Sequence, residues 1–166
     1  MELNNSFKLY DTDNNFTGIT VKPFAVPGKV ALWMEDESKG KNFGSVEEDT
    51  IALEVSDANK KFYYIPACAS IPDWLLKKLD NSELIFFDGT LWQDDEMIKQ
   101  NVGVKTGKRM GHISMSGEEG SINILNKINI KRRIFIHINT TNPSLLEDSK
   151  EREIASKNGW EISYDT

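Results

Sequence analysis

From Asp49 onward the apolar and polar positions of this chain fall into short, regular blocks. Thr50–Val55 and Lys61–Ile65 read as strands, and Ser56-Asp-Ala-Asn-Lys60 between them reads as a hairpin turn. Pro72–Leu79 spaces Trp74, Leu75 and Leu79 in a way that predicts a short helix with Pro at its first turn. Leu84–Phe87 predicts a buried strand that ends at Asp88, and Asp94–Gln100 a short helix. Ser116-Gly-Glu-Glu119 has the capping-box pattern, a Ser with a Glu three residues later, and predicts a helix with Ile122, Leu125 and Ile128 on one face. Arg133–Ile138 is the next apolar strand. Leu145–Asn158 predicts a charged amphipathic helix with Gly159 as its C′ residue, and Trp160–Tyr164 a last strand.

The first 48 residues are more weakly patterned. Ile19–Phe24 alternates as a strand does, and Pro23 places it at an edge or an end. Val30–Met34 predicts another strand, Val26-Pro-Gly-Lys29 a turn, and residues 35–48 an exposed loop. The second half of the chain therefore alternates strand and helix. Its strands are apolar enough to need helices on at least one face, which predicts an α/β, layered architecture.

Length and composition narrow the classes open to it. The 166 residues suit one domain with its own core, and 28% charged residues suit a soluble globular chain. A net charge of −6 argues against nucleic-acid binding. The one basic cluster, Lys131-Arg132-Arg133, reads as a solvated strand entry. No apolar run is long enough to cross a membrane, and Met-Glu-Leu-Asn-Asn-Ser at the start has no secretory pattern, so the expected location is cytoplasmic. A single cysteine, Cys68, cannot form an internal disulfide; its apolar company predicts a buried, inert thiol.

Three residues stand out as candidate chemistry. Asp88 ends a buried strand, where α/β folds place ligands, although an Asp before Gly89 and Thr90 can equally serve a backbone turn. His112 lies in Arg-Met-Gly-His-Ile-Ser-Met-Ser-Gly117. Read as a loop residue at a helix N-terminus, it would favour the neutral, metal-ligating imidazole; otherwise it bonds only to loop backbone. His137 sits between Ile136 and Ile138 and reads as either a satisfied core residue or a ligand. The polar Asn139-Thr-Thr-Asn-Pro143 that follows suits either support of a ligand or a self-satisfying turn. Asp94-Asp95-Glu96 could bind a hard cation, but negative charge in a helix's first turn is the simpler role. No Cys-x-x-Cys, phosphate loop, dinucleotide-binding glycine pattern or Gly-x-Ser-x-Gly occurs.

Taken together, Asp88-Gly-Thr-Leu-Trp-Gln-Asp-Asp-Glu-Met97, Gly103-Val-Lys-Thr106, Met110-Gly-His112, Ser116-Gly117 and Ile136-His-Ile-Asn-Thr-Thr-Asn-Pro143 resemble the pyrroloquinoline quinone biosynthesis protein B (PqqB) family. The likeness runs on through Glu147–Arg152 and Gly159–Asp165, and is weaker over 19–68. It implies the metallo-β-lactamase fold, an αββα sandwich, of which residues 1–166 resemble the C-terminal half, as a single partial domain. It further implies a part in making the redox cofactor pyrroloquinoline quinone, by a non-haem-iron oxygenation of the tyrosine in a Glu/Tyr precursor. A carrier that moves the quinone to the periplasm and a metal-dependent hydrolase of the same fold remain as alternatives.

By position, the resemblance makes His137 a metal ligand, and His112 and Asp88 ligands or proton-transfer groups, around one iron or zinc ion with a partial shell. Family members are considerably longer and carry a Cys-rich zinc site and an Asp-x-x-x-Asp-His loop, which one cysteine and two histidines cannot build. The partners implied are the small-molecule or peptide precursor of the quinone and a complementary N-terminal half, with no nucleic acid and no membrane.

Overall fold

Seven strands lie in one sheet, in the order in which the chain visits them. The computed structural model describes residues 2–29 and 49–163. They form β1 (Phe7–Tyr10), β2 (Phe16–Ala25), β3 (Ile51–Ser56), β4 (Lys61–Ile65), α1 (Asp73–Leu79), β5 (Ser82–Asp88), α2 (Glu96–Lys99) and α3 (Gly107–Met110). After these come α4 (Ser121–Leu125), β6 (Ile130–Ile136), a 3₁₀ turn at Pro143–Leu145, α5 (Lys150–Lys157) and β7 (Trp160–Ile162). Strands β1 to β4 are antiparallel neighbours. From β4 to β7 the pairing is parallel, and each crossover carries helix. This is the α/β architecture expected from the alternation of blocks. The strand predicted at Val30–Met34 and the loop at 35–48 lie outside the described residues.

Strand alternation sorts the sheet into two faces. One face carries Phe24, Ala52, Tyr63, Ile65, Ile85, Phe87, Phe135, Trp160 and Ile162, all buried. Against it pack Leu75 and Leu79 of α1, Ile122 and Leu125 of α4, and Ala155 of α5, closing a single core. Phe135 stacks on Trp160 with centroids 3.9 Å apart and planes 14° apart, which locks β6 to β7.

The other face is also apolar. Register aligns Leu53 with Tyr64, Val55 with Phe62, Phe62 with Leu84, and Tyr64 with Phe86. Val21 and Ile134 on this side are buried, but Leu53, Val55, Phe62, Leu84 and Phe86 are only half-buried and Tyr64 is exposed. None of these last six belongs to the core cluster.

Several expectations need correction. Trp74 shares a helix with buried Leu75 and Leu79 but faces outward, 40% exposed, because Leu75 and Leu79 already fill the stripe that meets the sheet. The capping box does not form. Ser116 Oγ donates to the Trp92 carbonyl (2.7 Å) and Gly117 turns the chain at φ +91°, so α4 starts only at Ser121, with Gly120 as its cap. The helix expected over Leu145–Asn158 is two elements. Ser149 caps α5 by accepting from the Arg152 N–H (3.0 Å), and a 3₁₀ turn precedes it. Gly159 does end α5 in the left-handed region, at φ +77°.

Pro23 sits in an interior strand, beyond the stretch that pairs with β1. Its carbonyl accepts from the Asn4 N–H (2.8 Å), so its missing N–H points to the β1 side and costs β3 no ladder bond. Lys131 and Arg132 are exposed and paired with Glu83 and Glu161, as a solvated strand entry would be.

Phe135→Ala removes the ring that joins β6, β7 and the crossover helices. The expected loss is about 3–5 kcal/mol of unfolding free energy, read as a lower urea midpoint with an unchanged slope.

Candidate metal centre

Strands β5 and β6 run parallel and end side by side, with Asp88 in register with Ile136. The next residues zip the two ends together. The Gly89 N–H donates to the Ile136 carbonyl (2.8 Å), and the Asn139 N–H to the Thr90 carbonyl (3.1 Å). A β-carbon at position 89 would lie 2.9 Å from Phe135 Cβ and 3.2 Å from the Ile136 carbonyl oxygen, so only glycine allows this approach. His137 then leaves β6 with φ +55°, a left-handed conformation that non-glycine residues seldom hold without compensating contacts.

His112 arrives from a third direction. Helix α3 ends at Gly111 with φ +88°, the Ile113 N–H donates to the Cys68 carbonyl (2.7 Å), and His112 is held between. This corrects the expected dipole effect. His112 follows the C-terminal end of α3, and α4 begins only at Ser121, so His112 does not stand at the start of the helix that follows it. Its company comes from tertiary contacts instead.

Those contacts centre on Asp88, whose side chain is fully buried. Its Oδ2 accepts from the Cys68 N–H (2.9 Å) and lies 2.8 Å from His112 Nδ1. Its Oδ1 accepts from the Thr90 N–H (3.1 Å) and the Thr90 hydroxyl (2.6 Å). Each carboxylate oxygen thus has two hydrogen-bond contacts, one of which a metal held by Asp88 would replace. Thr90 Oγ1 lies in turn 3.0 Å from His112 Nδ1 and 2.8 Å from His137 Nδ1. His137 Nδ1 is 3.9 Å from Asp88 Oδ1, an electrostatic contact beyond hydrogen-bond length. The two imidazoles are nearly parallel, with centroids 5.3 Å and planes 23° apart.

The electrostatics follow from this packing. Burial pushes the Asp88 carboxyl up, but the hydrogen bond from His112, the closeness of His137 and the Thr90 hydroxyl outweigh it, so Asp88 titrates below its ordinary value. The Asp88 carboxylate raises His137 above its ordinary value, against the opposing effect of burial. Burial, then the Asp88 charge, push the Cys68 thiol far up, and its Sγ–H donates to the Ser70 carbonyl (3.1 Å). Cys68 is buried, as its sequence context suggested, and the raised thiol pKa disfavours the reactive thiolate.

Asp88, His112 and His137 thus come together, each offering one ligand atom within 4.8 Å of the others. Two imidazoles and one carboxylate form a donor set that divalent iron and zinc accept. The carboxylates at 94–96 do not join them. Glu96 is buried and accepts from the Trp92 N–H (2.6 Å), the Gln93 N–H (3.3 Å) and the Thr141 hydroxyl (2.8 Å). Asp94 Oδ1 accepts from the Lys108 N–H (2.7 Å).

The polar loop after His137 supports the centre. Asn142 Nδ2 donates to the Gly89 carbonyl (2.9 Å) while its Oδ1 accepts from the Ser144 N–H (3.0 Å). The sequence marks Thr90 only as part of the turn after Asp88; its place two residues after a strand-end Asp is the signal that points to its role in the site.

Comparisons with known proteins agree with this fold. Residues 1–138 match the beta-lactamase superfamily domain. The chain is 48% identical over 149 residues to coenzyme PQQ synthesis protein B of Xanthomonas oryzae pv. oryzae, covering 90% of this chain and 50% of that protein. It is 49% identical over 156 residues to the protein of that name from Bradyrhizobium diazoefficiens, covering 92% and 50%. The crystal structure of Zn²⁺-bound PqqB from Methylobacterium extorquens superposes with TM-score 0.89 at 43% identity, covering 99% of this chain and 52% of that one. YhfI of Bacillus subtilis, at 12% identity and TM-score 0.60, shares the fold. The chain spans about half the length of the curated relatives it matches.

Gly89→Ala forces the ends of β5 and β6 apart. The expected cost is about 1–3 kcal/mol of stability, measured as a lower thermal unfolding midpoint, and a loss of that size sets it apart from a neutral surface change.

Proposed function

Because the chain belongs to the beta-lactamase superfamily and, within it, to the PqqB family, we propose that it serves pyrroloquinoline quinone biosynthesis as one half of a metal-dependent enzyme. The observation that carries this reading is the convergence of Asp88, His112 and His137 at the ends of β5 and β6. His137 is the metal ligand of this half, and His112 and Asp88 are ligands or proton-transfer groups beside it. The reaction class is oxygenation of the tyrosine ring in a Glu/Tyr precursor, for which a bound non-haem iron would supply dioxygen activation.

The residues of this chain do the rest. Asp88 holds negative charge against the two imidazoles. His112, at 14% side-chain exposure, is shielded, while His137, at 53%, is open to a substrate or to further ligands.

Two imidazoles and a carboxylate equal the number of protein ligands that catalytic zinc and mononuclear iron sites use, so the donor count by itself calls for no second half. The half-covered sheet face is what points to one. Leu53, Val55, Phe62, Tyr64, Leu84 and Phe86 form an apolar surface whose natural cover is a second sheet, packed face to face. Asp88 lies on the same side of β5 as Leu84 and Phe86, so a sheet laid there reaches the centre. The matching relatives' remaining length supports a complementary half as that cover. The reading places catalysis in the joined halves.

Zinc or iron affinity is expected to rise at least about tenfold when the N-terminal half of a PqqB relative is added to this chain, and equal affinity with and without it would sink the reading. His137→Ala is expected to weaken zinc binding by the joined halves by at least about 10–100-fold in a chelator competition, with far-ultraviolet circular dichroism unchanged.

A further inference from the structure

We infer that Thr90 is a positioning residue, whose hydroxyl fixes the proton of His137 on Nδ1 and so presents His137 Nε2 as the metal-binding lone pair. The inference rests on the reading of His137 as a ligand and goes beyond it to name what aims it.

The argument is a count of protons. A threonine hydroxyl has one hydrogen and two lone pairs. Thr90 Oγ1 lies 2.6 Å from the Asp88 carboxylate and 3.1 Å from the His137 carbonyl. The shorter, charge-assisted contact to Asp88 takes the hydrogen. What remains of the hydroxyl can only accept. His137 Nδ1 at 2.8 Å must therefore be the donor, and a neutral His137 is the Nδ1–H tautomer. Its Nε2 is left bare, the form that binds a metal.

The two histidines are held differently, which makes the inference testable. His112 Nδ1 donates directly to Asp88 Oδ2 at 2.8 Å and meets Thr90 Oγ1 only as a second partner at 3.0 Å. His137 Nδ1 is 3.9 Å from the carboxylate, too far for a hydrogen bond, so the hydroxyl relays the charge of Asp88 to it. The left-handed backbone at His137 and the Asn139 N–H on the Thr90 carbonyl hold the ring against that hydroxyl. Removing the hydroxyl should therefore release His137 and leave His112 in place.

The test uses the metal-free full chain at a pH where both imidazoles are neutral. Its two histidines give two ring patterns in proton–nitrogen correlation spectra, and nitrogen shifts report the tautomer. Wild type and Thr90→Ser are expected to show Nδ1–H at both. Thr90→Val is expected to move His137 toward the Nε2–H form with His112 unchanged, and to weaken zinc binding about 10–100-fold, while Thr90→Ser stays within about threefold of wild type. Should Thr90→Val not fold, Thr90→Ala is measured in its place. Nε2–H at His137 in the wild type overturns the inference, as does an unchanged His137 in the hydroxyl-free variant or an equal shift at both histidines. Failure of zinc to bind the wild type, with the tautomers as stated, would instead count against the metal reading.

Discussion

The Asp88 carboxylate is buried in full, and a buried charge survives only if every lone pair is answered. Four donors from three segments answer it: the Cys68 and Thr90 N–H groups, the Thr90 hydroxyl and His112. That requirement organises this end of the sheet. It draws the segment after β4 inward, fixes the tight exit of β5, and seats the loop behind α3. Losing one donor would leave an uncompensated charge where no water reaches, so the constraint acts on the whole group together. The same charge that would endanger a core is what makes two nearby imidazoles useful.

The strands were legible in the sequence where the pattern was locally decisive. Lys61–Ile65 and Leu84–Asp88 appear where their apolar runs place them, because a buried strand in a layered sheet needs little beyond its own composition. The hairpin at 57–60 was equally plain, since Asp57 Oδ1 accepts from the Asn59 and Lys60 N–H groups (both 2.7 Å), as a turn-forming Asp does. Short helices were not so legible. Nothing in Gly107-Lys-Arg-Met110 has amphipathic spacing, and α3 exists because the Thr106 hydroxyl accepts from the Arg109 N–H (3.2 Å) and tertiary contacts hold the turn. At Ser116 the local pattern was real, but the Trp92 carbonyl competed for the hydroxyl and won.

The candidate site was legible by residue type and not by role. Asp88, His112 and His137 were singled out by their places at strand ends and in a Gly-rich loop, and the three do converge. No sequence rule could state which would be buried, which exposed, or that a threonine would stand between them. His112 shows why: its surroundings were read from the nearest helix in sequence, yet its closest charged neighbour comes from a strand end far earlier in the chain. The likeness to longer proteins had the same character. It identified the frame, while the half-buried Phe62 and Phe86 on the sheet's second face give that frame a physical meaning.

The sheet's strand order has a kinetic consequence. Each strand pairs with its neighbours in sequence, so no described strand must wait for one made much later before it can dock. Such a topology suits assembly strand by strand as a nascent chain lengthens. The centre is the exception, because Asp88 and His137 meet only once β6 has closed onto β5. The growing sheet would thus exist for a time with its carboxylate half-solvated and His137 absent, and the three residues come together only late, on a scaffold already in place.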